Sequence, residues 1–225
     1  MFKRILPALF TILLFGCSST PSPNISQITE STSGQRQGDA VSLYWVTERL
    51  TKPETAADYV TAGDYGWYQS NYRWSEDSLR EVIREGEKLI VGQGLISYSA
   101  HIRFNSSGEA VYQQYRENNR VLPLRPEEID QYKGSADLVL ANTRGENKLY
   151  QGYWNGETFE TCEGQEFTKI SFEETLPSYV IDRIQGLDSF VVLNGKSVLK
   201  SLQVESLLIL ADDGKDCIPR PNLWN

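Results

Sequence analysis

From Ile96 to Phe104 apolar and polar side chains alternate without a break. Ile96, Tyr98, Ala100, Ile102 and Phe104 share one face, and Ser97, Ser99, His101 and Arg103 share the other. A period of two marks a strand in a sheet with one covered and one wet face, which is the antiparallel arrangement. Asn105-Ser106-Ser107-Gly108 then supplies a turn, and Ala110 to Arg116 is expected to pair back. Val41 to Glu48, rich in Tyr, Trp and Val, reads as another strand, and Trp67 to Trp74 with Ser78 to Arg84 reads as a hairpin around Ser75-Glu76-Asp77.

A helix should follow. Pro126 sits in its first turn with Glu127 and Glu128, where a fixed φ and negative charge suit the positive end of the helix dipole. Ile129, Tyr132, Ala136 and Val139 fall on one stripe, and the helix should end before Asn142-Thr143-Arg144-Gly145. The last third has its own order. Strands are expected at Lys148 to Trp154, Thr158 to Glu163 and Phe167 to Phe172, with Asn155-Gly156 as a hairpin signal. A helix over Leu176 to Gln185 carries the stripe Leu176, Val180, Ile184 and Leu187, and strands return at Ser189 to Leu193 and Leu202 to Leu210. That order, β-β-β-α-β-β, is that of an OB-like five-stranded barrel. The expected fold class is α+β, mainly antiparallel β. Residues 41–145 should form an antiparallel sheet with one helix, and residues 146–225 an OB-like module with one helix.

The N-terminus reads as an address. Lys3 and Arg4 precede an apolar run from Ile5 to Phe15. Eleven helical residues span about 16 Å, roughly half a bilayer core, which fits a signal peptide and not a membrane span. Leu14-Phe15-Gly16-Cys17 resembles a lipobox, although Phe15 is larger than the residue usual there. The resemblance implies cleavage of residues 1–16 and a diacylglyceryl group on Cys17; the alternative is an ordinary cleaved signal with an incidental cysteine. Two acyl chains suffice for stable anchoring. Ser18 follows, where Asp would favour inner-membrane retention, so the expected location is the periplasmic face of the outer membrane. Seventeen of the 23 residues from Ser18 to Ala40 are Ser, Thr, Pro, Gly, Asn or Gln, and this segment, 17–40 with the lipidated Cys17, is expected to be a disordered tether.

The chain has 22 Lys and Arg against 30 Asp and Glu; without Lys3 and Arg4 the balance is 20 against 30. An acidic chain repels phosphate backbones, so nucleic acid is an unfavourable partner. Cys162 and Cys217 remain after Cys17, in a compartment where disulfides persist. An even remainder suggests one bridge between them, closing a loop of about 55 residues; the alternative is two free buried thiols. A metal site is not expected, because His101 is the sole histidine and no Cys-x-x-Cys occurs.

Catalytic sets are equally thin. His101 lies on the polar strand face between Ser99 and Arg103, with no nucleophile motif beside it. Asp212-Asp213-Gly214-Lys215-Asp216 lacks the spacing of a calcium loop and reads as an acidic turn. Glu157, Glu160, Glu163 and Glu166 read as a solvated face. Tyr65, Trp67, Tyr68, Tyr72 and Trp74 form the densest aromatic stretch, either sheet core or a binding surface; alternation puts Tyr68, Tyr72 and Trp74 on one face and Trp67 on the other.

Asp64-Tyr65-Gly66-Trp67-Tyr68-Gln69-Ser70, Ile102-Arg103-Phe104, Gly108-Glu109-Ala110-Val111-Tyr112, Gly152-Tyr153-Trp154, Cys162-Glu163-Gly164-Gln165 and Cys217 together resemble a family of gamma-proteobacterial envelope lipoproteins whose domain is of unknown function. That resemblance spans Tyr44 to Arg220 and implies no activity, cofactor or functional residue. More distantly, residues 148–217 are similar to small β-barrel modules of lipoproteins involved in copper homeostasis or envelope sensing, through Phe159-x-x-Cys162, the later helix and a turn at Gly195. The metal-binding residues of such proteins have no counterpart here. The expected function is a non-catalytic envelope module, anchored by lipid and acting through protein contacts, without cofactor. The alternative is a carrier or sensor of a small apolar or sugar-like ligand in an aromatic-lined half barrel.

Overall fold

The computed structural model describes residues 27–186 and 188–224. The expected signal peptide (1–16), Cys17 and the first part of the tether (18–26) lie outside the described residues, as does Leu187.

Eight strands form one antiparallel meander: β1 (Ile28–Gln37), β2 (Ala40–Arg49), β3 (Lys52–Thr61), β4 (Gly66–Ser75), β5 (Ser78–Ile90), β6 (Gly94–Phe104), β7 (Ala110–Glu117) and β8 (Arg120–Leu122). Three of its turns have two residues with both φ positive, Leu50-Thr51, Glu76-Asp77 and Asn118-Asn119. That conformation matches the twist of the strands it joins. α1 (Pro126–Asn142) starts where its proline and acidic first turn require; the Arg125 N–H donates to the Glu128 carboxylate at 2.7 Å. Its stripe of Tyr132, Ala136 and Val139 is buried against Tyr44, Tyr72, Val82, Ile102 and Tyr115, so one helix serves strands from β2 to β7. The sheet therefore curls around α1.

The tether expectation fails from Ile28 onward. β1 pairs with β2 over its whole length, from Ile28↔Arg49 to Gln37↔Ala40. The composition that suggested disorder is what the packing needs. A Cβ on Gly34 would stand 2.4 Å from Leu208 Cδ1, Thr32 Oγ1 accepts the Leu149 N–H at 3.1 Å, and Arg36 donates to the Leu208 carbonyl. Small and polar side chains let a second sheet approach closely, so the burial comes from the partner's apolar groups.

That second sheet contains β9 (Lys148–Trp154), β10 (Phe159–Thr161), β11 (Glu166–Phe167), β12 (Lys169–Phe172), β13 (Ser189–Val198) and β14 (Ser201–Asp212), in the order β11-β10-β9-β13-β14-β12. α2 (Ser178–Gly186) packs Val180 and Ile184 onto it. The five-stranded OB pattern is not what forms. The segment read as one strand from Phe167 to Phe172 splits at Thr168, and its halves occupy opposite edges of a six-stranded sheet, β12 pairing parallel with β14. Only one residue separates the two edges, so the sheet is nearly closed. Gly195 is not a turn either. It lies inside β13 at a register shift, where a Cβ would stand 2.3 Å from the Gln203 carbonyl oxygen. The turn comes later, at Leu199, with positive φ. Asn155-Gly156 does begin a hairpin, with a four-residue connection between Trp154 and Phe159, and Asn155 Oδ1 accepts the N–H groups of Glu157 and Thr158.

β13 is central and buried on both faces. Phe190 and Val192 join Val41, Leu43, Trp45 and Ala57 of the first sheet, while Val191 and Leu193 point into the second sheet's own core with Phe159, Phe167 and Leu202. The body thus has four layers: α1, first sheet, second sheet, α2. The second sheet covers the first only over β1 to β3; the C-terminal tail reaches β4, and the same face of β5 to β8 is left uncovered.

Candidate functional site

The aromatic stretch does not form one surface. Tyr65 is exposed before β4, while Trp67 and Tyr68 are half-buried on opposite faces. Tyr72 and Trp74 are core, their rings 6.1 Å apart, and the Tyr72 hydroxyl donates to Asp58 at 2.9 Å. Only Trp67 and Tyr65 remain available to an outer partner.

The face of β4 to β7 that the second sheet leaves uncovered is organised by one carboxylate. Glu81, whose side chain is 3% exposed, accepts from Arg103 Nε at 2.9 Å, meets His101 Nε2 at 2.7 Å and pairs with Arg73. Burial pushes the Glu81 carboxyl up, but His101, Arg103 and Arg73 outweigh it and hold the group below its ordinary value. His101 is thus a bonded strand histidine, and Tyr112 packs edge-on to it at 5.2 Å and over Arg103 at 5.7 Å. Further along the face, Trp67 stacks on Tyr59 and donates to Glu87 at 3.1 Å. An open cleft of about 430 Å³ lies there, lined by Trp67, Glu85, Glu87, Ser99, Arg116 and Asn118.

The C-terminal tail borders this face. Cys162, just past β10, is disulfide-bonded to Cys217, with Cα atoms 6.2 Å apart. The remaining tail is laced down by side chains. Gln151 bonds both the N–H and the carbonyl of Ile218, at 2.8 and 2.7 Å; Arg220 donates to Thr47 and Thr55; Asn71 donates to the Pro221 carbonyl and accepts the Leu223 N–H. Trp224 ends over the Arg73 guanidinium at 5.1 Å. Prolines 219 and 221 remove ladder donors, and these side-chain bonds replace them.

The other face holds a group that alternation alone did not flag. Arg84 faces α1, with a side chain only 11% exposed. Its Nε donates to Ser70 Oγ at 2.8 Å and its Nη2 to the Tyr72 hydroxyl at 3.0 Å, while the Asp58 carboxylate stands 3.9 Å away. The guanidinium lies between the rings of Tyr68 and Tyr132, at 4.0 and 4.9 Å. Burial weighs against the charge but is outweighed by Tyr72 and Asp58, so the Arg84 pKa is raised. Burial likewise raises the Asp58 carboxyl, with Arg84 opposing, and pushes Tyr68 up to about 12. A cleft of about 200 Å³ opens beside Arg84, bounded by Lys88, Tyr98, Tyr115, Leu124 and Tyr132.

A sequence model described as protein of unknown function (DUF1481) matches residues 32–222, from within β1 to the laced tail. The chain belongs to that family. The matched span takes in both sheets and both helices, so the DUF1481 unit is the whole two-sheet body. No curated protein and no solved structure matches the chain.

Within this DUF1481 body the described residues include no group of three or more His, Cys, Asp and Glu placed to hold a metal ion, and no helix long and apolar enough to cross a membrane. Glu157, Glu160, Glu163 and Glu166 are exposed, and Asp212 pairs with Arg183 at 2.6 Å. Arg84 carried one sequence signal. It lies two residues past Val82 and pairs with Ala100, so the register of the hairpin puts a charge on the covered face.

Proposed function

We propose that this chain is a non-catalytic module of the bacterial envelope, lipid-anchored through Cys17 at the periplasmic face of the outer membrane, that docks a protein partner on the face of β4 to β7 that the second sheet leaves uncovered. One observation carries the docking reading. That face gathers Trp67, Tyr112 and Trp224 with Arg73, Arg103 and Arg116, and aromatic residues and arginine are the types enriched at protein interfaces. Arg73 and Arg103 are held in place by the sunken Glu81, so little side-chain entropy is left to lose on docking. The lipobox at Leu14 to Cys17 and the resemblance to gamma-proteobacterial envelope lipoproteins support the address.

A photo-crosslinking residue placed at Tyr112 in cells should give an adduct with an envelope protein identifiable by mass spectrometry, and the same residue at Leu138, exposed on α1, should not. Equal adducts from both positions, or none from Tyr112, would sink the docking face. The anchor is tested separately: Cys17→Ala should lose fatty-acid labelling and membrane fractionation, and continued labelling would rule the anchor out.

A further inference from the structure

We infer that the cleft between α1 and the curled first sheet is a binding site for a small monocarboxylate, anchored by Arg84. This site lies on the opposite face from the docking surface and stands on separate observations.

Arg84 is a guanidinium held rigidly and incompletely used. Ser70 and Tyr72 take Nε and Nη2, and two tyrosine rings fix its plane. Asp58, at 3.9 Å, is too far for a hydrogen bond, and its Oδ1 has no partner among the described residues. Nη1 is the nitrogen that these bonds leave over. A planar guanidinium edge matches a carboxylate, which it binds through two parallel N–H···O bonds.

The walls add donors. Among the described residues the hydroxyls of Tyr98 and Tyr132 find no protein acceptor, and burial keeps both phenols protonated far above neutral pH, so they are O–H donors. The Lys88 ammonium donates to the Tyr115 hydroxyl at 2.8 Å and pairs with Glu117. Leu124 supplies an apolar side. At about 30 Å³ for each water, a cleft of about 200 Å³ holds roughly seven waters, which limits the ligand to something near the size of benzoate.

Charge selects the class. Asp58, Glu117 and Glu128 already stand around Arg84 and Lys88, and Glu128 is paired with Arg125 at 3.2 Å. One added negative charge meets the Nη1 edge that the bonds to Ser70 and Tyr72 leave over, whereas a phosphate dianion would bring twice the charge toward the same three carboxylates.

The test is calorimetric titration of the full chain, in detergent, with sodium benzoate, sodium acetate and inorganic phosphate as separate probes. Benzoate should bind, acetate more weakly, and phosphate not at all. The Tyr98→Phe/Tyr132→Phe variant keeps both rings and removes only the hydroxyls, so it should fold with an unchanged melting temperature and bind benzoate roughly tenfold more weakly or worse. Arg84→Lys, if it folds, should abolish binding. Absence of benzoate binding at about 10 mM, a range where even weak complexes form, would overturn the inference. So would phosphate binding as tight as benzoate, or a double variant that binds benzoate unchanged. None of these results bears on the adduct from Tyr112, which reports on the other face.

Discussion

The concave face of the first sheet buries a charge pair within its apolar packing, whereas the core of the second sheet is built of rings and aliphatic chains. In the first, Asp58 and Arg84 sit among tyrosine hydroxyls beneath α1. In the second, Phe159 stacks on Phe167, Trp154 stacks on Phe172, and Val191, Leu193, Leu202 and Val204 fill the remainder. Burying apolar area is favourable wherever it happens, but a buried ion pair returns little beyond its desolvation cost. Rings alone could have filled the space under α1, as they do in the second sheet. A polar network there, half-satisfied on the Asp58 side and open to a cleft, gives up stability that the second sheet keeps, and a ligand requirement is a reason for such a loss.

The largest effects should come from breaking either interior with a single change. Arg84→Ala or Asp58→Ala strands its partner charge in the sheet and should cost about 3–5 kcal/mol. Phe167→Ala in the second sheet should cost a similar amount, about 3–5 kcal/mol, through lost burial and a cavity. The comparison lies in the rescue. Asp58→Leu with Arg84→Met removes both charges and should recover most of the loss, as seen in urea midpoints at constant slope. If the double variant is as unstable as either single one, the first sheet's interior is not held as a charge pair and the contrast between the sheets fails.

The elements on which this contrast stands were readable in the chain, the buried charges were not, and the gaps have physical causes. The alternation of Ile96 to Phe104 marked the covered face correctly because a strand has one period and no competing reading, and the α1 stripe of Tyr132, Ala136 and Val139 was equally plain. β1 was missed because polarity at Thr32 serves a neighbour 117 residues away and smallness at Gly34 serves Leu208, still further along the chain, which local composition cannot report. β3 was missed because Pro53 and the run Ala56-Ala57-Asp58 weaken its pattern, although both alanines are fully buried. The aromatic stretch showed its alternation, but not that Tyr72 would be committed to Asp58. The Cys162–Cys217 bridge was expected from the even cysteine remainder and is present, whereas the path of the tail beyond it was not, because nothing in the spacing states where that segment runs.

That bridge gives the next test, of intermediate size. In the chain-entropy picture a loop with a sequence separation of 55 contributes on the order of 4 kcal/mol, and measured values fall at or below such figures. Cys162→Ser with Cys217→Ser should therefore cost about 2–4 kcal/mol by chemical denaturation. The loss should be local first. Hydrogen exchange should quicken at Ile218 and Leu223, whose amides are held only by Gln151 and Asn71, while α1 and β6 stay protected. Uniform quickening across both sheets would mean that the tail does not merely lace the layers together but is part of their common cooperative unit.

The smallest effect separates the two carboxylates of the first sheet by the sign of their pH dependence. Glu81 has a folded-state pKa below its ordinary value of 4.5, because His101, Arg103 and Arg73 outweigh the effect of its burial. Its contribution to stability is therefore present above about pH 4.5, where the unfolded chain is also ionised, and is lost as pH falls through the folded value. Asp58 is shifted the other way by burial, so its contribution is complete below its ordinary value of 3.8 and is lost as pH rises through the folded value. Glu81→Gln should cost only about 1 kcal/mol at pH 7, since Arg73 and Arg103 are more than half exposed and screened by water, and its cost should shrink toward pH 3. The urea midpoint plotted against pH should be flatter on the acid side for Glu81→Gln than for the parent chain. For Asp58→Asn it should be steeper, because a contribution that falls with rising pH in the acid range has been removed. An acid limb that Glu81→Gln leaves unchanged would show that the outer-face network has no stabilising role, and that the arginines there are held by backbone register alone.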